Sequence, residues 1–178
     1  RQDLDDARET GDEEAFARVE RALAESSQLL RSTVAELHPA VLDRAGLPAA
    51  LRELVRAAGA RGGFAVDLDV QNWPDDARSP ADTLLYRTAR ELLANVTKHA
   101  GARSVSVVLA HVGDRARLTV TDDGTGIPDG AVQRSLQSGH IGLASHALRV
   151  EAAGGTLTLH PGRTAGTVAT VDVPWPAA

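Results

Sequence analysis

Glu91-Leu92-Leu93-Ala94-Asn95-Val96-Thr97-Lys98-His99-Ala100 carries polar and apolar residues at helical spacing, and the fold can be read outward from it. Glu91, Asn95, Lys98 and His99 fall in one broad sector, three and four residues apart. Leu85, Ala89, Leu92 and Val96 fill the adjoining apolar sector, which would hold the helix to a sheet. A carboxylate here can orient or deprotonate water or a hydroxyl, an amide oxygen can coordinate Mg2+, and Lys98 can meet phosphate charge. The same letters also suit a solvated helix face near its end, where the helix dipole favours Lys98 and His99. The spacing predicts a helix that starts near Ser79, whose hydroxyl can cap it ahead of Pro80, and continues to about His99.

Downstream, Val105, Val107 and Leu109 alternate, then Ala116, Leu118 and Val120, with a Gly113-Asp114 turn between them. The pair reads as an antiparallel hairpin. Asp122-Asp123-Gly124-Thr125-Gly126 follows at once. A carboxylate at a strand end followed by two spaced glycines suits close approach of backbone to a planar ligand, with the Asp accepting a base amino proton. An ordinary Asp/Gly turn has the same composition. Next, Gly139-His140-Ile141-Gly142-Leu143 enters a helix over about 143–153. Exposed N–H groups at such a start can cradle phosphates, although a turn and a helix start need nothing more. Gly154-Gly155 ends that helix and opens two strands, over 156–160 and 167–173. Neither a P-loop nor a dinucleotide fingerprint is present.

Upstream, residues 12–41 read as one long helix, with Phe16, Val19, Leu23, Leu30, Leu37 and Val41 forming an apolar stripe. Such a stripe wants a partner helix in the same bundle or a second chain, or else lies on its own domain. Pro39 and Gly46 mark a change of direction. A second helix over 48–60 carries Leu51, Leu54 and Val55 inward, and Phe64, Val66, Leu68 and Val70 alternate over a strand. The loop 72–78 follows. The order is helix, strand, helix, two strands, loop, helix, two strands. One mixed or antiparallel sheet, covered by helices on one face and preceded by a long helix, would bury it all.

Composition narrows the function. Of 178 residues 43% are apolar but only 3% aromatic, so Ala, Val and Leu must fill the core. The net charge of -5 and the scattered Lys and Arg disfavour a nucleic-acid groove. With no Cys there is no disulfide, thiol nucleophile or zinc-thiolate site, which fits a reducing interior. The six histidines form no short-spaced metal cluster. No apolar run approaches a bilayer span, and Arg1-Gln2-Asp3-Leu4-Asp5-Asp6 is neither a signal peptide nor an initiator Met. The expectation is a cytoplasmic piece of a longer protein, whose other segments can include a membrane anchor or a sensor.

The order and content of the three polar sets resemble the ATP-binding domain shared by histidine kinases, gyrase-type topoisomerases, the ninety-kilodalton heat-shock chaperones and mismatch-repair ATPases. Residues 91–100 look like its asparagine box, Asp122 to Gly126 like its DxGxG box, and Gly139 to Leu143 like its second glycine box. Gly166-Thr167 is similar to a further element before the last strand. Leu37-His38-Pro39-Ala40-Val41-Leu42-Asp43-Arg44-Ala45-Gly46-Leu47 and Tyr86-Arg87 resemble the nitrate-sensor-like histidine kinases paired with LuxR-type, helix-turn-helix response regulators. The implied fold is the two-layer α/β (Bergerat) sandwich. The implied domains are 1–47, the end of a dimerisation and histidine-phosphotransfer domain lacking its acceptor helix, and 48–178, the ATP-binding domain.

The resemblance implies ATP and Mg2+ as ligands. Glu91 would be the general base or polarising carboxylate, and Asn95 the Mg2+ ligand. Lys98 and His99 would organise the phosphate side, and Gly139 and Gly142 would shape it. Asp122 would accept from the adenine amino group with room made by Gly124 and Gly126, and Thr167 would lie beneath the adenine or its bound water. It further implies a homodimeric parent, a weakly associating or monomeric fragment, and transfer of phosphate to a histidine outside the chain, then to a regulator aspartate. Two departures stand out: His146 occupies a commonly Met-like position, with Ala147-Leu148-Arg149 where an Arg–Glu–Arg-like run is common, and the segment from Pro128 to Gly139 is short for a nucleotide lid. His38 resembles the phosphoacceptor but is followed by Pro39 at the wrong end of the dimerisation domain, so the acceptor is expected upstream of Arg1. The competing reading is a nucleotide-binding interaction module, either a weak or inactive kinase or a relative of the serine kinases that antagonise sigma factors.

Overall fold

The computed structural model describes residues 40–75, 77–126 and 141–175. The helix expected over 12–41 lies outside them except at Ala40 and Val41, and so do Leu37, His38, Pro39, the 128–139 segment and Gly139.

Helix α1 (Ala40–Gly62) is two helical runs joined at Gly46, which takes φ 79° and ψ 176°. Pro48 then falls in the first turn of the second run, where its missing N–H leaves no bond unmade. Leu42 and Leu47 share one buried cluster with Leu51, Leu54, Val55 and Ala58, so the stretch around the break packs into the same core as the run after it.

Strand β1 (Ala65–Gln71) runs parallel to β2 (Ser104–Val112), which pairs antiparallel with β3 (Arg115–Asp122). β3 pairs antiparallel with β5 (Thr167–Pro174), and β4 (Thr156–Pro161) closes the other edge, giving the order β1-β2-β3-β5-β4. The sheet is therefore mixed. Alternation sends Val105, Val107, Leu109, Leu118, Val120, Val171 and Val173 into the core. They meet Leu85, Ala89, Leu92 and Leu93 of α2 (Ala81–Asn95) and Val150 of α3 (Ile141–Ala152). On the opposite face Arg115 and Arg117 both pair with Asp172. Helices cover one face, as the periodicities required. Among the described residues no helix is long and apolar enough to cross a membrane.

The start of α2 is specified locally. Ser79 Oγ accepts from the Ala81 N–H at 3.3 Å, and Asp82 Oδ2 accepts from the Ser79 N–H at 3.2 Å, a reciprocal cap. The other oxygen of Asp82 accepts from the Trp175 indole N–H at 2.6 Å. Burial raises the Asp82 pKa above the ordinary Asp range, against the Trp175 and Ser79 hydrogen bonds and the charge of Arg78. Trp175 is fully buried, 4.7 Å from the Trp73 ring and 5.0 Å from His111. Its backbone N–H donates to the Asp114 carbonyl at 2.8 Å, which locks the end of β5 onto the β2–β3 turn.

At its far end the regular helix stops at Asn95 and gives way to a π-helical turn, Val96–Ala100, closed by left-handed Gly101. The chain stays helical to about where the spacing predicted. Its last turn is wider, however, so Lys98 and His99 do not continue the 3.6-residue phase set by Glu91 and Asn95.

Candidate functional site

Glu91 and Asn95 stand half-buried one turn apart at the end of α2. Asn95 Nδ2 lies 3.5 Å from Glu91 Oε1, a long contact that turns the amide nitrogen toward the carboxylate and leaves Oδ1 to coordinate a cation. Lys98 and His99 are exposed on the π-helical turn. Lys98 also borders a cleft of about 160 Å³ between α1 and α2, together with Leu54, Ala58, Arg61 and Arg90. Neither Asn95, Asp122 nor Thr167 lines that cleft.

The two adjacent aspartates at the end of β3 do different things. Asp122 is buried at 6% exposure, and its Oδ1 accepts from the Gly124 N–H at 2.9 Å. The carboxylate keeps acceptor capacity beyond that bond. Asp123 is exposed and accepts from the backbone N–H groups of Arg103 at 2.7 Å and Ser104 at 2.9 Å. Those bonds, Ser104 first and then Arg103, hold its carboxyl below the ordinary Asp range. Asp123 is a staple between β2 and β3, whereas Asp122 is buried at the strand end with one oxygen held by Gly124.

Glycine is required where three segments meet. A Cβ on Gly124 would overlap the carbonyl oxygen of Ala100, the last residue of the π-helical turn. That oxygen accepts from the Thr125 N–H at 2.9 Å. Gly166, at φ 76°, packs so close that a Cβ would overlap the carbonyl oxygen of Asp122. Gly126 lies against the Gly166 carbonyl. Thr121 pairs with Val168, so the same register puts buried Thr167 beside Asp122. The structure thus brings Asp122, Gly124, Gly126 and Thr167 together and fastens them to the end of the helix that bears Glu91 and Asn95. Gly142 lies in the first turn of α3.

These residues fit a nucleotide with a divalent ion. The glycines let three backbone segments close on one another beside the buried Asp122 carboxylate, which can accept from a base amino group. Among the described residues no three His, Asp or Glu groups gather. A cation held by Asn95 would therefore complete its shell with water and phosphate, the habit of Mg2+.

Three features went unread in the sequence: the Asp123 staple, the role of Ala100, and a contact between His146 and Thr88. Ala100 acts through its backbone oxygen, which leaves no side-chain signal. The other two depend on partners 19 to 58 residues away.

Comparison with known proteins shows the family. Residues 81–177 match the family described as histidine kinase-, DNA gyrase B- and HSP90-like ATPase. The chain is 43% identical over 155 residues to the sensor histidine kinase NarS of Mycobacterium tuberculosis, covering 85% of this chain and 35% of that protein. It is 36% identical over 177 residues to the sensor histidine kinase MctS of Rhizobium johnstonii, covering 98% of this chain and 36% of that one. The chain therefore spans little more than a third of these relatives. Among solved structures, the histidine kinase domain of the blue-light-activated kinase of Erythrobacter litoralis aligns with a TM-score of 0.56 and 28% identity, over 72% of this chain and 64% of that one.

Proposed function

The chain belongs to the histidine kinase-, DNA gyrase B- and HSP90-like ATPase family, and from that premise we propose that it is the ATP-binding catalytic portion of a two-component sensor histidine kinase. It passes the ATP γ-phosphoryl to a histidine outside this chain, from which an aspartate of a LuxR-type response regulator receives it. The parent is a homodimer anchored at the membrane, and this portion works in the cytoplasm. The observation that carries the reading is the closure of the Asp122–Gly126 loop onto Ala100, which joins a base-recognising carboxylate to the Glu91–Asn95 helix.

In this reading Asp122 accepts from the adenine amino group through the oxygen that Gly124 does not occupy, and Thr167 supports the base beside it. Asn95 offers Oδ1 to the metal. Mg2+ supplies neutralisation of phosphate charge and orientation of the phosphates. Lys98 and His99, exposed at the helix end, add cationic and hydrogen-bonding capacity on the phosphate side. Gly142, in the first turn of α3, serves the phosphate side, a role the resemblance also gives to Gly139. Glu91 polarises the acceptor imidazole and takes its proton as the N–P bond forms and the bond from the γ-phosphorus to the bridging oxygen breaks. Alignment and charge neutralisation do most of the work in such a transfer.

The test is incubation with γ-labelled Mg–ATP, alone and with a supplied dimerisation domain bearing the Leu–His–acidic motif. The supplied domain gains acid-labile label while this chain stays unlabelled at histidine, and Glu91→Ala lowers the transfer while ATP still binds. Stoichiometric, Mg2+-dependent labelling of His38 would overturn the placement of residues 1–47. An ATP-binding chain whose transfer is indifferent to Glu91→Ala would overturn the role of that carboxylate.

A further inference from the structure

Helix α3 presents a buried titratable side chain to α2. His146 is buried, and its Nδ1 lies 3.2 Å from Thr88 Oγ1. The Thr88 hydroxyl has one proton, and it is directed to the Leu84 carbonyl at 2.8 Å. Thr88 must then accept from His146, so the proton sits on Nδ1 and the lone pair of the neutral ring on Nε2.

The contact bears on the site through the geometry of α2. Thr88 lies one turn ahead of Glu91 and two turns ahead of Asn95, on one flank. Helix α3 begins at Ile141 and carries Gly142 in its first turn. The hydrogen bond is therefore a buried polar tie between the helix carrying Glu91 and the helix entered from the phosphate-side glycines. An apolar side chain at 146 would fill the space without fixing the helix register.

The charges around the ring make the tie sensitive to its protonation. Burial holds the His146 pKa below the ordinary His value; Glu91 opposes that effect, while Arg149 of α3 and Arg90 and Arg87 of α2 add to it. The Glu91 carboxylate favours the charged ring and the three arginines disfavour it.

We propose that His146 is a positioning residue for Glu91, acting through its hydrogen bond to Thr88 to hold α2 in register against α3. The assignment rests on Glu91 being the carboxylate that serves phosphoryl transfer. A proton added at Nε2 creates a cation that competes for the Glu91 carboxylate, so the state in which His146 positions Glu91 without engaging it is the neutral one.

Wild-type chain, His146→Asn and His146→Leu separate this from simple packing. Asn places an N–H near Nδ1 but does not titrate, and Leu fills the volume without a donor. The Glu91 side-chain carboxyl carbon is followed by NMR over roughly pH 5 to 9, and Mg–ATP affinity is measured by calorimetry at the alkaline end. In the wild type the Glu91 resonance carries an inflection that coincides with titration of the His146 ring, and both variants lose it. ATP affinity stays within about twofold for His146→Asn and falls about fivefold for His146→Leu, the loss of one buried hydrogen bond. Superimposable Glu91 curves in all three proteins, with wild-type affinity in His146→Leu, would overturn the proposal. Failure of the wild type to bind ATP would instead refute the kinase reading and leave the Glu91 curves to decide this one.

Discussion

The backbone N–H of Thr125 donates to the carbonyl oxygen of Ala100 at 2.9 Å, so the loop after β3 is fastened to the end of the helix that bears Glu91 and Asn95. Neither residue contributes a functional side chain to this bond. It nevertheless brings a carboxylate suited to a base and groups suited to phosphate and metal into one site. Gly124 lies between them, where any side chain would meet the Ala100 backbone.

Gly124→Ala should therefore damage the site from within. The added methyl meets backbone that cannot rotate away, and overpacking of this kind costs about 1 to 3 kcal/mol. Calorimetry should show Mg–ATP affinity reduced by about tenfold with circular dichroism unchanged. Unaltered affinity would mean that the loop and Ala100 part on binding.

Asn95→Ala should reduce the gain that Mg2+ gives to ATP binding, with a smaller effect on ADP measured without metal. The expectation follows from the amide orientation, with nitrogen toward Glu91 and oxygen outward. Equal losses with and without metal would indicate damage to the pocket instead.

Asp123 should make stability depend on acid pH. Its folded-state pKa is depressed by the Ser104 and Arg103 N–H groups. The unfolded chain binds the proton first as pH falls, so the staple's contribution is complete above the ordinary Asp value of about 3.9. It is lost as pH drops through the lower folded value. Urea midpoints of wild type and Asp123→Ala should be separated at neutral pH and converge in acid. A constant gap would remove the carboxylate from the account.

Much of this was legible because it is periodic. The alternation of Val105–Leu109 and Ala116–Val120 specified the hairpin, and Leu85, Ala89, Leu92 and Val96 specified the buried face of α2. The Ser79 cap was legible for the same local reason. The π-helical turn was not, because a run such as Val96–Ala100 suits regular helix equally well; the wider turn is held by its connection to Gly101 and by Ala100's bond to Thr125. Asp123 could not be told from Asp122 by composition. One is exposed against β2 and the other buried beside Thr167, a distinction made only by strand pairing.

Trp175 should hold the far end of the sheet. It is fully buried, its indole N–H serves Asp82, and its ring packs on Trp73. Trp175→Ala should cost about 3 to 5 kcal/mol in chemical unfolding. Trp175→Phe keeps most of the packing but deprives a buried carboxylate of its donor, at about 1 to 3 kcal/mol. Because Asp82 has a raised folded pKa, the cost of burying its charge is present at neutral pH and relieved as pH falls. The Phe variant should accordingly lose less stability in acid than at neutral pH, and an equal loss at both would place the effect in packing alone.

The central claim is tested most directly by titrating Mg–ATP into the wild-type chain and into Asp122→Ala by calorimetry. Asp122 is a buried carboxylate at the glycine-lined end of the sheet, with one oxygen held by Gly124. The account predicts saturable binding by the wild type and a loss of about 1.5 to 3 kcal/mol in the folded variant, the worth of one charged hydrogen bond. Equal affinities in the two proteins, or no binding by the wild type, would contradict it.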